Sequence, residues 1–224
     1  MGKTVIAPAD VEYPESDGKP MAETDIHREQ MFNVINRLAA RYARRKDVYV
    51  SGNLLVYYVE GRPSASLAPD CFVAFGVPKG QRRTFKVWEE GAYPAVVFEI
   101  TSRKTKKEDT VKKFHIYQDV WKVKELFMFD PTEEYLNPSL CGYSLDGAAF
   151  QPVAPAGDRL VSKELGITVE RDGTRLVLRD AKTGEEILLP AEQEARKANR
   201  KAAELRAEND QLRAELEALR KKSS

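Results

Sequence analysis

The run Ala-Val-Val-Phe-Glu-Ile at residues 95–100 constrains the fold of this chain more than any other stretch. It is short and almost wholly apolar, the pattern of a central strand buried inside a sheet. Glu99 is the exception within it. A carboxylate that closes such a strand is buried with it, and a buried charge requires a cation or a metal. A second run of this kind, Glu-Leu-Phe-Met-Phe-Asp-Pro at 125–131, is stopped by Pro131 and reads as another buried strand.

The elements around these strands follow a legible order. Residues 13–25 are polar and carry Pro and Gly, with Thr24 or Asp25 placed to cap a helix. Met31, Val34, Ile35, Leu38 and Tyr42 then recur at helical spacing, and His27 falls one turn before Met31 on the border of that face. Residues 48–61 read as strand, Gly interruption and strand, ended by Gly61 and Pro63. A further strand over 67–75 carries Asp70 and leads through a loop to the run at 95–100. A helix is expected over about 107–121. The second half is β-rich, and its Asp146-Gly147 and Asp172-Gly173 pairs suit hairpins with type I′ turns. Near Pro190 the pattern turns helical, and residues 191–222 are nearly all Ala, Glu, Lys, Arg, Leu, Gln and Asn. That composition reads as a solvated coiled-coil helix. The chain therefore divides into a globular domain at 1–190 and a tail at 191–224.

Lys and Arg (36) nearly cancel Asp and Glu (35), so net charge gives no argument for nucleic acid, and any steering has to come from local patches. Three exist, at 41–46, 79–86 and 103–107, and only the third adjoins Glu99. Solvated basic loops are the commoner origin of such runs. Two cysteines, Cys71 and Cys141, are too few for a zinc cluster, and Cys71 follows Asp70 in a strand and so faces away from it. With no N-terminal apolar stretch and no run long enough to span a bilayer, the chain reads as cytoplasmic, with no membrane partner.

On a helix of about 100° per residue, Val111, Phe114, Ile116, Tyr117, Val120 and Trp121 span a broad apolar arc, with Lys113 inside it and Lys112 outside. An inward ammonium needs an anionic partner, and Glu99 ends the strand that feeds this helix. A lysine that snorkels to the surface fits if the helix is rotated by a residue or two. Tyr117, one turn on, suits either a hydrogen bond within such a site or a place in the core. Asp70 and Glu99 on neighbouring strands can bring two carboxylates together above the sheet. Mg²⁺ is satisfied by one or two carboxylates, several waters and a substrate phosphate. The plainer reading has Asp70 capping a turn after Pro69 and Glu99 paired with a lysine.

A helix, three strands of which the last two carry acids, a helix and a further buried strand resemble the core of the PD-(D/E)XK nuclease superfamily at Pro69-Asp70 and Glu99. The nearer resemblance is to the Uma-two family of restriction-endonuclease-like proteins. It rests on the ordered segments DGKPMAETDIHREQM, DVYVSGNLLVYY, APDCFVAFGVP, WEEGAYPAVVFEITS, the Asp109/Lys113/Tyr117 spacing, FMFDP and KTGEEILLP, over roughly 13–190. The resemblance implies an α/β (α+β) fold with a restriction-endonuclease-like core: a mixed central sheet flanked by helices, here with added C-terminal β-hairpins and the coiled-coil helix. It implies a Mg²⁺-dependent (Mn²⁺ as substitute) DNA endonuclease with Asp70, Glu99 and Lys113 as its catalytic set. The metal would be held by Asp70, Glu99 and the Ile100 carbonyl, and Lys113 stands where the family's recurring lysine stands. Many metal-dependent nucleases keep that lysine two residues after the second acid, where this chain has Thr101. In the superfamily an acid from the first helix can join the metal, which makes Glu23 and His27 auxiliary candidates beside Tyr117. Arg103 and Lys104, just past the acids, are candidates for DNA phosphate contact.

A second class stays open, a catalytically inactive nuclease-fold protein that works by interaction through its coiled coil, because loss of the Glu-x-Lys spacing is also what decay produces. No Gly-rich phosphate loop, Cys/His ligand spacing or nucleophile elbow supports other chemistry. In the tail, Leu205, Leu212 and Leu219 recur every seven residues, and taking them as d positions puts Ala202, Asn209 and Leu216 at a. This predicts a homodimer through a parallel two-stranded coil, the alternative being a single solvated helix.

Overall fold

The computed structural model of the chain describes residues 11–16, 18, 24–101 and 108–222, with 108–110 and 222 as backbone only. Two compact units result, 1–187 and 188–224.

The first unit is a mixed α/β fold around a six-stranded sheet. In chain order its elements are α1 (Asp25–Arg41), β1 (Val48–Ser51), β2 (Val56–Tyr57), β3 (Ser66–Leu67), β4 (Cys71–Phe75), β5 (Phe85–Lys86), the short α2 (Val87–Glu90) and β6 (Val96–Ile100). Two π-wound stretches follow, π1 (Glu108–Lys113) and π2 (Ile116–Val120), and then β7 (Glu125–Phe129), β8 (Leu140–Asp146), β9 (Ala149–Pro152), β10 (Arg159–Ser162), β11 (Ile167–Asp172) and β12 (Arg175–Asp180). The main sheet runs β1-β4-β6-β7-β8-β9. All its neighbours are antiparallel except β6 and β7, which are parallel. That exception has a sequence cause: β6 and β7 are the two apolar runs, every residue of both is buried, and the helical segment between them provides the crossover that a parallel pair needs.

Each face of the sheet has its own apolar layer. On one, Met31, Val34 and Leu38 of α1 pack with Val73, Phe98 and Phe127, and the three-stranded sheet β10-β11-β12 adds Ile167, Val169 and Leu176. On the other, Phe72, Val97 and Leu126 meet Val56 and Phe85 of the small sheet β3-β2-β5, together with Tyr117 and Trp121. Helix α1 is also held by polar ties. Buried Arg37 donates to Asn33 Oδ1 and, at 2.5 Å, to the Ile187 carbonyl, Arg41 pairs with Asp180 at 2.8 Å, and Gln30 accepts from Leu176 N–H.

Several expectations are corrected. The strand expected at 67–75 is broken, since Pro69 and Asp70 lie between β3 and β4, and the second half of the 48–61 region leaves the main sheet as β2. Both Asp-Gly hairpins form, but Gly147 (φ +60) and Gly173 (φ +61) are the first loop residues, and Ala148 and Thr174 do not follow them into positive φ. That is the pattern of a type II′ turn rather than I′. The helix expected at 107–121 is present but π-wound, and Val111 and Val120, placed in its apolar arc at α-helical phase, are exposed.

The second unit is α3 (Pro190–Lys222), with Pro190 at its first position, where proline lacks only a hydrogen bond the helix could not make. Among the described residues no helix is long and apolar enough to cross a membrane.

Candidate active site

The register of β4 against β6 positions the two acids. Cys71 lies opposite Phe98 and Phe72 opposite Val97, so Asp70, the residue before β4, arrives beside the end of β6 that holds Glu99 and Ile100. Glu99 alternates onto the face of Val97, and Asp70 reaches β6 through the Ile100 N–H. Asp70 is held at this point by its neighbours. Asn53, with φ +49, donates its N–H to the Pro69 carbonyl at 2.8 Å, and Gly52 passes so close that an added Cβ would fall 2.0 Å from the Asp70 carbonyl oxygen. Only glycine fits that crossing.

Glu99 is the most enclosed charge of the site, its side chain 1% exposed. Two groups from the π-wound segment meet it: Lys113 Nζ lies 2.8 Å from Oε2, and the Tyr117 hydroxyl donates to Oε1. Trp121 N–H bonds the Ile116 carbonyl in the i→i+5 pattern of this winding. A turn closed this way holds more residues than the 3.6 of an α-helix, so Lys113, Tyr117 and Trp121, each four apart, line up on one side. Tyr117 and Trp121 are buried in the core, Lys113 is 13% exposed, and Lys112 points to solvent.

Asp70 is tied to α1. His27 is the third residue of that helix, its own N–H accepted by the Thr24 side chain, and it is 6% exposed. Its Nε2 lies 3.2 Å from Asp70 Oδ2, and the same oxygen accepts the Ile100 N–H at 2.7 Å. Burial pushes the Asp70 carboxyl upward, but the His27 hydrogen bond, the charges of Lys113 and His27 and the Ile100 amide together outweigh it, so its pKa is lowered. The adjacent Cys71 thiol is pushed well up by its own burial and then by the charges of Asp70 and Glu99, which makes it an unreactive core residue.

The structure thus brings together His27, Asp70, Glu99, Lys113 and Tyr117. Glu23, Arg103, Lys104 and the side chain of Asp109 lie outside the described residues. Ile100 meets the site through its amide, a contact the sequence reading did not foresee. A second buried acid also escaped the sequence reading: Glu125 of β7, on the opposite face, accepts from the Ser162 hydroxyl and the Lys163 N–H and so joins two sheets. Of the basic patches, 79–86 is committed to structure. Arg82 is doubly bonded to Glu90, Arg83 pairs with Glu15, Lys86 with Glu89, and Lys79 donates to the carbonyls of Tyr42 and Ala43.

The donors at the centre are hard oxygens. Among the described residues no group of three or more His, Cys, Asp and Glu gathers as a metal cage, which sets this arrangement apart from a zinc site with its three or four protein ligands.

Comparison with known proteins bears on this geometry. No curated protein matches the chain. Among solved structures, a crystal structure titled as a "putative nuclease belonging to DUF820" from Anabaena variabilis ATCC 29413 is similar over 75% of this chain and 81% of its own. The TM-score is 0.50 and the identity 12%, a likeness of fold. The model of the Uma2 family, described as "putative restriction endonuclease", matches residues 6–171, a span holding His27, Asp70, Glu99, Lys113 and Tyr117. The chain therefore belongs to the Uma2 family.

Proposed function

We propose that the protein is a Mg²⁺-dependent DNA endonuclease that hydrolyses phosphodiester bonds at the Asp70–Glu99–Lys113 site. The observation that carries this reading is that Asp70 is bonded to the N–H of Ile100, the residue next to Glu99, while Lys113 reaches the Glu99 carboxylate. The donor chemistry fits a hard cation. Both hydrogen bonds to Asp70 among the described residues end on Oδ2, so Oδ1 is the oxygen able to face a metal, and Glu99 adds a second carboxylate held by Lys113 and Tyr117. Asp70 and Glu99 would hold the ion, with the Ile100 carbonyl as a third donor and waters completing the shell; Mn²⁺ would substitute. When bound, the ion supplies a water of lowered pKa and neutralises the attacked phosphate.

The chain's own residues do the rest. Lys113 offsets charge on the phosphate as the fifth oxygen approaches. Tyr117 fixes the Glu99 carboxylate, and the Ile100 N–H and His27 fix that of Asp70, which stays ionised at neutral pH because its pKa is lowered. DNA is the substrate class that the family supports, with Arg103 and Lys104 as phosphate contacts. A homodimer would bring two such sites together, a route to cutting both strands of a duplex.

The test is nicking of supercoiled plasmid by wild type and Glu99→Gln in Mg²⁺, Mn²⁺ or EDTA. Cleavage by wild type alone, abolished by EDTA, is the expected result. Cleavage that survives in Glu99→Gln would sink the site, and no cleavage by either would favour an inactive nuclease fold acting through its tail.

A further inference from the structure

We infer that α3 is a self-association surface whose partner is α3 of a second copy, in a parallel, two-stranded, in-register coiled coil. The inference concerns the tail alone and holds whether or not the paired domains cut DNA.

The helix leaves its apolar stripe uncovered. Every described side chain from 193 to 221 is exposed, and Leu205, Leu212, Leu216 and Leu219 are 54%, 53%, 57% and 63% exposed. These four leucines follow the 3.5-residue period of a coiled-coil seam rather than the broader stripe that packs on a globular core. Helices of this composition form readily by propensity, so the apolar seam, not the need to fold, is what asks for a partner.

Charge chooses the occupant. With leucines 205, 212 and 219 at d, the g residues Glu208 and Glu215 face Arg213 and Arg220 at e of an identical parallel helix. Both pairs are attractive. Lys201 against Arg206 is the one unfavourable match, and it lies toward the start, where Ala198 and Ala202 make the seam thin. Asn209 at a is the polar residue that fixes register and holds the coil at two strands, since two such amides can bond each other only when the chains are aligned. A parallel coil begins with both N-termini together, so two copies of the first unit are joined to the same end of it.

The test uses the full chain. Sedimentation should show a concentration-dependent dimer for wild type, and Leu212→Lys with Leu216→Lys should run as a monomer with the thermal transition of the first unit unchanged. Leu219→Cys, oxidised, should give a crosslinked dimer, because position 219 meets its own copy only in the parallel, in-register arrangement. A wild-type monomer or trimer, or a double variant that stays dimeric, would overturn the inference, and a dimer that Leu219→Cys fails to crosslink would overturn its parallel form.

Discussion

Replacing Lys113 with Met tests the centre of the site, because it removes a charge and keeps most of the aliphatic stem. Lys113 Nζ is 2.8 Å from a carboxylate that is 1% exposed. Taking one partner from a buried pair costs about 3–5 kcal/mol, since the other is left as an uncompensated charge. Lys113 is itself 13% exposed, so water can reach part of the vacated space, and the lower end of that range, about 3 kcal/mol, is the expected loss. In a protein of this size that is a fall in Tm of roughly 6–12 °C. Lys112→Met, on an exposed neighbour, should stay within about 0.5 kcal/mol of wild type. Adding Glu99→Gln to Lys113→Met should recover much of the loss, because the orphaned charge is then gone.

The same variant separates binding of a cation from cleavage. With the ammonium removed, the two carboxylates lose the cation bound to Glu99, so Mg²⁺ should raise the Tm of Lys113→Met by more than it raises that of wild type; at a hundred times the Kd the gain is about 2.7 kcal/mol. Plasmid nicking should nevertheless fall by about 10²–10³, the usual cost of losing one preorganised charge-stabilising group. Thermal melts with and without Mg²⁺, run beside the nicking assay, give all three quantities. Equal stability and equal nicking in Lys112→Met and Lys113→Met would refute the assignment of Lys113.

Asp70→Asn should lose stability at pH 7, and its deficit should shrink on acidification. The lowered carboxyl of Asp70 contributes stability above its ordinary value of 3.8 and loses that contribution as pH falls through its native pKa, so denaturation at pH 7 and at pH 3 should show a smaller gap at pH 3. A constant gap would mean that His27, Lys113 and the Ile100 amide do not stabilise the charged form. Gly52→Ala places a methyl 2.0 Å from the Asp70 carbonyl oxygen and 2.6 Å from Ile35 Cδ1, and should cost about 3 kcal/mol or more in urea titration and slow any cleavage, while Gly61→Ala, with nothing within 4 Å but φ +76, should cost less. Equal losses would refute crowding against Asp70 and Ile35 as the reason for glycine at position 52, whose φ is not left-handed.

The parts of this fold legible in the sequence are those in which one physical pattern dominates. Strands β6 and β7 announce themselves because burial on both faces leaves no room for alternation, and α1 because Met31, Val34 and Leu38 keep helical spacing against one core. Asp70 and Glu99 were legible as a pair, but the register that brings Asp70 to the Ile100 amide was not, since it depends on how β4 and β6 slide and only the structure sets Cys71 opposite Phe98. His27 looked marginal because it borders the apolar face of α1; what buries it is Asp70, forty-three residues away, and a long-range partner leaves no local mark. Glu125 was hidden for the same reason, its donors being Ser162 and the backbone beyond it.

The π winding was the hardest feature to read, and it explains why Lys113 was correctly turned inward by an argument with the wrong period. At α-helical phase Val111 and Val120 belong to the buried arc, yet both are exposed. The better signal was the four-residue spacing of Lys113, Tyr117 and Trp121, which an i→i+5 helix stacks almost in line. This winding also answers the absence of a lysine two residues after Glu99. Thr101 is 1% exposed and bound through both its N–H and its hydroxyl to the Phe129 carbonyl, so that position is committed to joining β6 and β7 at the edge of the site. The cation comes instead from a helix, fourteen residues along the chain from Glu99. A lysine on the strand would reach the carboxylate alone, whereas a helix with stacked fourth residues delivers two groups, an ammonium to Oε2 and a hydroxyl to Oε1. Moving the lysine off the strand therefore gains a second fixed contact on the same carboxylate, and it makes the orientation of Glu99 depend on the backbone of residues 108–120 keeping its wide turn.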